Sequence, residues 1–200
     1  MKQTTPKTFT ATLALLSLAA GTVVASGVPA HAGDPLDRRI ARFATDEGNI
    51  GFLALGTVLP LLRDGKGGRD RALRVGDAAL SSTIITYALK ETIREKRPDG
   101  SSRDSFPSGH ATAAFAVATM ESAYHPKEAL LWYGGAAIIS WSRVRLNRHY
   151  TQDVLAGAVI GYATSRWELS RKRGLLLSPF VGSLDGGSGR GFGIRMVKEL

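Results

Sequence analysis

Three short stretches of this chain carry side chains suited to chemistry on an anion. In Ser142-Arg143-Val-Arg-Leu-Asn-Arg-His149-Tyr-Thr-Gln-Asp153, a guanidinium, an imidazole and a carboxylate fall within one short segment. His149 and Asp153 are four residues apart, the spacing that puts two side chains on one face of a helix. A carboxylate placed there accepts a hydrogen bond from one ring nitrogen. The other nitrogen keeps its lone pair, as an imidazole nucleophile requires. Arg143 adds a planar fork of donors that matches an oxyanion. Upstream, Lys90, Arg94 and Arg97 recur at i, i+4 and i+7, which predicts a cationic stripe on one face of a helix end. Between these, Phe106-Pro107-Ser108-Gly109-His110 reads as a turn that opens a helix. The free N–H groups and dipole of a helix start favour an anion, and Gly109 allows close backbone approach. His110 then stands beside the anion as a proton donor.

The elements that must position these residues read as helices. Asp34 to Asp46 predicts a short amphipathic lead-in helix. Asn49 to Leu62 predicts a buried helix bearing Ile50, Phe52, Leu53, Leu55, Val58 and Leu59, with Pro60 near its end. After the loop Gly65–Gly68, a long helix is expected from Asp70 to about Lys96, stopped by Pro98. Asp99 to Pro107 is a polar loop, and Ser108 is a good N-cap for the helix that follows. That helix carries the small residues Ala111, Ala114 and Ala118, which permit close helix contact. Another helix is expected from Lys127 to about Arg145, with Leu130, Leu131, Ala137, Ile138 and Trp141 as core candidates. The last, from about Thr151 to Arg171, is expected to bury Leu155, Val159 and Tyr162. Leu175 to Leu184 and Phe192 to Val197 lean to β-structure around a Gly-rich turn, which predicts a hairpin.

The start of the chain reads as a secretory leader. Lys2 and Lys7 precede the apolar run Leu13–Val24, and Ala30-His31-Ala32 is an A-x-A cleavage pattern. The expected organisation is a signal peptide at 1–32, a helical domain at 33–173 and a Gly-rich hairpin or tail at 174–200. Export to the periplasm or cell envelope follows, with an uncleaved membrane anchor as the alternative. The uncharged runs Asn49–Leu62 and Ala129–Ser142 are fourteen residues each, short of the roughly 20 that a membrane span needs. A soluble or peripheral domain is therefore expected, with a bundle of short embedded helices left open. The net charge is +9, but the basic residues are scattered without aromatic interleaving, which argues against nucleic acid. There is no cysteine, hence no disulfide and no thiolate metal site.

Taken singly, each stretch has an ordinary explanation: a solvated helix end, a capped helix with a neighbouring histidine, a surface His–Asp pair. Taken together they read Lys90-x6-Arg97-Pro98, Pro107-Ser108-Gly109-His110 and Ser142-Arg143-x5-His149-x3-Asp153. This set resembles the type-2 phosphatidic acid phosphatase family, which shares its site with bacterial acid phosphatases and vanadium haloperoxidases. The resemblance fills every signature position and covers about a third of the chain.

It implies an all-α bundle and a phosphoric monoester hydrolase that needs neither metal nor cofactor. Lys90, Arg97 and Arg143 would hold phosphate oxygens, with Ser108 and the Gly109 N–H completing the cradle. His149 would attack phosphorus, Asp153 would orient it, and His110 would serve as acid and then base. The substrate would be a phosphorylated lipid or a small phosphomonoester, with peripheral membrane contact a further expectation. A vanadate-dependent haloperoxidase and a non-catalytic envelope protein that binds anionic lipid are the alternatives. The sequence does not choose between lipid and small substrates, nor does it fix the oligomeric state.

Overall fold

The computed structural model describes residues 35–171, 174–183 and 190–196, with side chains for 36–171 and 174–176. The expected leader lies outside the described residues. Six helices follow one another: α1 Pro35–Thr45, α2 Glu47–Arg63, α3 Gly68–Ile93, α4 Gly109–Tyr124, α5 Ala129–Arg145 and α6 Thr151–Ser170. Single 3-10 turns, Gly65–Gly67 and Pro126–Glu128, join α2 to α3 and α4 to α5. An antiparallel hairpin closes the described chain, β1 Leu177–Ser183 with β2 Arg190–Met196, in the register Leu177 opposite Met196 through Ser183 opposite Arg190. The helical bundle with a C-terminal hairpin is the architecture the sequence predicts. Of the expected turn at 185–191, residues 185–189 lie outside the described residues, and Arg190 and Gly191 belong to β2.

Helix α4 is the axis of the bundle, because α2, α3, α5 and α6 all pack on it. It can sit there because it is made of small residues: Ala111, Ala114, Ala116 and Ala118 are fully buried. Helix α6 approaches it just as closely. A Cβ on Gly161 would lie 2.3 Å from the Thr112 carbonyl oxygen and 2.8 Å from the Ala116 nitrogen. A Cβ on Gly157 would lie 2.6 Å from the Ser108 carbonyl oxygen. Ser165, one turn on, donates to the Ala116 carbonyl at 3.0 Å. The α4–α6 seam is therefore backbone against backbone. It fixes the start of α4 against the start of α6, where the candidate site residues lie.

The core runs through Val75, Ala78, Val117, Met120, Trp132, Ala136 and Ile139. Several expected core residues are outside it. Ile50 is 69% exposed, Leu130 86%, Leu131 75%, Leu155 51% and Val159 52%. Leu55, Val58, Ile138 and Trp141 are exposed as well, and so is Ala137. The buried faces instead carry small and polar residues: Asn49 and Gly56 on α2, Ser81, Ser82 and Thr86 on α3, Gly157, Gly161 and Ser165 on α6. The expectation failed because it placed large apolar residues inward. These helices meet through residues small enough for close approach, which pushes the bulky apolar side chains to the outside.

The long helix also ends earlier than predicted. It stops at Ile93, and Arg94 takes a left-handed conformation (φ 51°) as its C-cap. The predicted cationic stripe therefore does not exist. Arg94 is exposed and pairs with Glu91 at 3.2 Å, while Arg97 lies beyond the helix in the connecting loop. At the far end of α6, buried Glu168 accepts from Arg74 at 2.8 Å and from the Leu175 N–H at 2.8 Å. Asp77 accepts from the Leu176 N–H at 3.0 Å. These two carboxylates tie the segment leading into the hairpin to the bundle.

Candidate active site

His149 lies two residues before α6, and Asp153 sits in its first turn. The ring is 3% exposed, and its Nδ1–H donates to the Ser105 carbonyl at 2.8 Å. Asp153 Oδ2 is farther from the same nitrogen, at 3.4 Å. The i, i+4 pairing is thus present, but the nearer acceptor is a backbone carbonyl from the 94–108 loop. Either acceptor fixes the proton on Nδ1 and leaves Nε2 with its lone pair. The Asp153 carboxylate is held in turn by the Ser105 hydroxyl at 2.5 Å and the Tyr150 N–H at 2.9 Å. Burial alone would raise its pKa, and these hydrogen bonds, with that of His149, outweigh burial and lower it. Ser105 serves both His149 and Asp153, and sequence reasoning left it within an unassigned polar loop.

Three cations converge on this corner. Lys90 is 8% exposed, and its ammonium group donates to the carbonyls of Asp104 and Ser105. Arg97 forms a two-pronged pair with Asp104, Nε to Oδ1 at 2.9 Å and Nη2 to Oδ2 at 2.9 Å. Arg143 closes the end of α5, 7% exposed, and gives Nη1 to the Thr45 hydroxyl at 2.6 Å. Its Nε is buried without a partner among the described residues. Burial pushes Arg143 down to about 10, with the like charges of Arg97 and Arg148 adding to the effect. Lys90 is lowered chiefly by burial too. Burial first, and like charge second, disfavour the charged forms of Lys90 and Arg143, and a bound anion would relieve both.

Ser108 caps α4 as predicted, fully buried, with its Oγ accepting from the Ala111 N–H at 3.5 Å. Its own N–H donates to the Asp153 carbonyl at 3.0 Å, which bolts the start of α4 to the start of α6. A Cβ on Gly109 would meet only Thr86 Cγ2, at 4.0 Å, so protein packing does not require glycine there. Ser142, the remaining motif hydroxyl, is fully buried and donates to the Ile139 carbonyl at 2.6 Å. The His110 pKa falls to about 4, first through burial and then through the charges of Arg143 and His149; a hydrogen bond with the Thr45 backbone works the other way. Thr45 therefore joins two predicted site residues from the end of α1. Nothing in the motifs could have pointed to it, since it lies 98 positions from Arg143. A cavity of about 550 Å³ opens beside this corner, with Arg97, Arg143 and Thr45 in its wall. Among the described residues there is no group of three or more His, Asp or Glu side chains placed to hold a metal ion.

The family model for the PAP2 superfamily matches residues 71–173, just over half of the 200-residue chain. The chain belongs to the PAP2 superfamily. All eight predicted site residues fall inside the matched span of this PAP2 protein, whereas α1 and α2 lie before it. Over 81 residues it is 41% identical to the lipid A 1-phosphatase of Porphyromonas gingivalis, an alignment covering 38% of this chain and 18% of that protein. Over 108 residues it is 40% identical to Escherichia coli YbjG, whose name marks it as a candidate undecaprenyl-diphosphatase; that alignment covers 46% of this chain and 52% of the relative. The chain thus spans about half or less of the curated relatives it matches. The crystal structure of Aquifex aeolicus LpxE has the same fold, with a TM-score of 0.55 at 22% identity over 70% of this chain and 89% of that one.

Proposed function

We propose that this PAP2 protein is a metal-independent phosphatase that hydrolyses a lipid phosphate ester through a phosphohistidine at His149. The observation that carries this reading is the fixed tautomer of His149: Nδ1–H is engaged at 2.8 Å, which leaves Nε2 as a nucleophile among Lys90, Arg97 and Arg143. The relatives' names, a lipid A 1-phosphatase and a candidate undecaprenyl-diphosphatase, support a lipid phosphate over a small phosphomonoester.

In the first step, Nε2 of His149 attacks phosphorus and the P–O bond to the alcohol breaks. The alcohol oxygen takes a proton from His110 and leaves. In the second step, water attacks the phosphohistidine, His110 takes a water proton, and orthophosphate departs as the P–N bond breaks. The three cations stabilise charge on the equatorial oxygens, and Asp153 stabilises the positive charge that develops on His149. His110 is neutral at rest, with a pKa near 4. A phosphate monoanion would carry the proton in, and its remaining charge would favour imidazolium beside it.

The bulky apolar exterior supports work at a lipid surface. Leu130 and Leu131, Ile50 and Leu62 are each more than two-thirds exposed. No helix among the described residues is long and apolar enough to cross a membrane. The lipid-phosphatase relative and this apolar exterior support a location at the cell envelope.

The test is rapid-quench labelling with a phosphorylated lipid. An acid-labile phosphoryl group should appear on His149, and His149→Ala should abolish turnover. His110→Ala should lower turnover about 10²–10⁴-fold and accumulate the label, because water has lost its base. Activity should survive EDTA and be inhibited by vanadate. Label on His110, on a serine or on no residue would overturn the role assignment.

A further inference from the structure

The cavity beside the catalytic corner is lined by six arginines, Arg38, Arg42, Arg97, Arg143, Arg145 and Arg148, against two aspartates, Asp46 and Asp99. Most of these arginines are already engaged. Arg97 pairs with Asp104, Arg145 with Asp37 at 2.5 Å, and Arg148 with Asp99 at 2.9 Å. Arg38 and Arg42 differ. Both are exposed, and neither side chain has a hydrogen-bond or ion-pair partner among the described residues. They stand one turn apart on α1, on the same stripe as Thr45, the residue that receives Arg143. Ala41 and Ala44 seat α1 on the bundle, and Asp37 ties it to α5 through Arg145. Two unpaired cations are thus presented toward a wall that already holds Arg97 and Arg143.

The catalytic reading does not use this pair. One phosphoryl group is served by Lys90, Arg97, Arg143 and the start of α4. A cavity of about 550 Å³ is far larger than one phosphate requires and falls in the range of ordinary small-molecule pockets. Arg38 and Arg42 also precede both the three motifs and the span matched by the family model. Guanidinium pairs of this kind recognise phosphate oxygens through paired N–H donors.

We infer that Arg38 and Arg42 form a second anion subsite, which takes the non-scissile phosphate of a lipid diphosphate while the scissile phosphate lies at His149. The inference rests on the phosphatase reading for the position of the scissile group. It assigns α1 the role of setting substrate class: a diphosphate engages both subsites, a monophosphate only one.

The test compares kcat/KM for a short-chain isoprenyl diphosphate, its monophosphate, and a lipid with two phosphates on separate hydroxyls. Calorimetry with inorganic pyrophosphate and orthophosphate gives a readout independent of turnover. Arg38→Ala/Arg42→Ala should lower the diphosphate-over-monophosphate preference about 10- to 100-fold, the scale of losing charge-assisted hydrogen bonds. It should also abolish tighter binding of pyrophosphate than of orthophosphate. Arg39→Ala removes a charge from the same helix away from the cavity wall and should leave the preference as in the wild type. An unchanged preference in the double variant overturns the subsite. So does an equal effect of Arg39→Ala and Arg42→Ala, which would mean a diffuse charge effect. A loss confined to the lipid with separated phosphates overturns the diphosphate assignment. A wild type that turns over none of the three lipids, yet prefers pyrophosphate through Arg38 and Arg42, keeps the subsite and sinks the phosphatase reading instead.

Discussion

Half-buried His110 and buried His149 make a pH prediction at the level of single residues. His110 and His149 both have pKa values lowered mainly by burial, His110 to about 4. In the unfolded chain a histidine titrates near 6.5. The unfolded state therefore binds more protons between these values, and stability must fall as pH falls. The contribution of neutral His110 is fully present above about pH 6.5 and is lost as pH drops toward 4. At about 1.4 kcal/mol per pKa unit, it amounts to a few kcal/mol at most. Urea unfolding of wild type and His110→Asn should show this as a difference. The wild-type midpoint should decline more steeply from pH 6.5 to 4.5 than that of the variant, which has no imidazole to protonate. Parallel curves would mean that His110 is solvated and not poised as described.

At the level of elements, glycines on α6 and α5 should respond in opposite ways to alanine. At Gly161 a Cβ would meet the Thr112 carbonyl oxygen at 2.3 Å, and backbone cannot swing aside as a side chain can. Gly161→Ala should cost about 1–3 kcal/mol, the usual range for overpacking. It should also reduce activity, because the α4–α6 seam sets Ser108 and His110 against His149 and Asp153. Gly134 sits within α5 with nothing within 4 Å of its added Cβ. Gly134→Ala should stabilise by about 0.5–1 kcal/mol, since alanine loses less backbone entropy in a helix. Chemical denaturation of both variants checks the pair. A neutral Gly161→Ala would mean that the helices are not in backbone contact.

For the whole molecule, the decisive feature is its inverted distribution of side chains. Among the described residues, small and polar side chains fill many of the helix contacts around a core of Val75, Val117, Met120, Trp132 and Ile139, while many other bulky apolar side chains lie on the exterior. In water that exterior is unfavourable, so the molecule should associate with lipid. Purified protein should float with phospholipid vesicles. Leu130→Gln/Leu131→Gln should weaken flotation while leaving the unfolding midpoint in detergent within about 0.5 kcal/mol, as expected for side chains that are 86% and 75% exposed. Equal flotation of wild type and variant would remove this face from any lipid contact. Loss of fold in the variant would mean that the two leucines are core after all.

The sequence alone determined the family motifs and, among the described residues, the six helices, because both are local. Spacing puts His149 and Asp153 within reach of each other, and Ser108 is a cap by its side chain; the end of α3 was not legible, since Arg94 and not Pro98 stops it. Only the tertiary structure decided which partners those residues find. The nearest acceptor for His149 is a carbonyl 44 positions away, and the acceptor for Arg143 is a hydroxyl 98 positions away. No local pattern encodes either. The structure also decided which helix faces turn inward. Leu155 and Val159 repeat with the period of a buried stripe, yet Gly157 and Gly161 form the contact. Hydrophobic periodicity reports the buried face only when large apolar side chains make the helix contacts. Here small residues make them, and the periodic apolar stripe marks the outside.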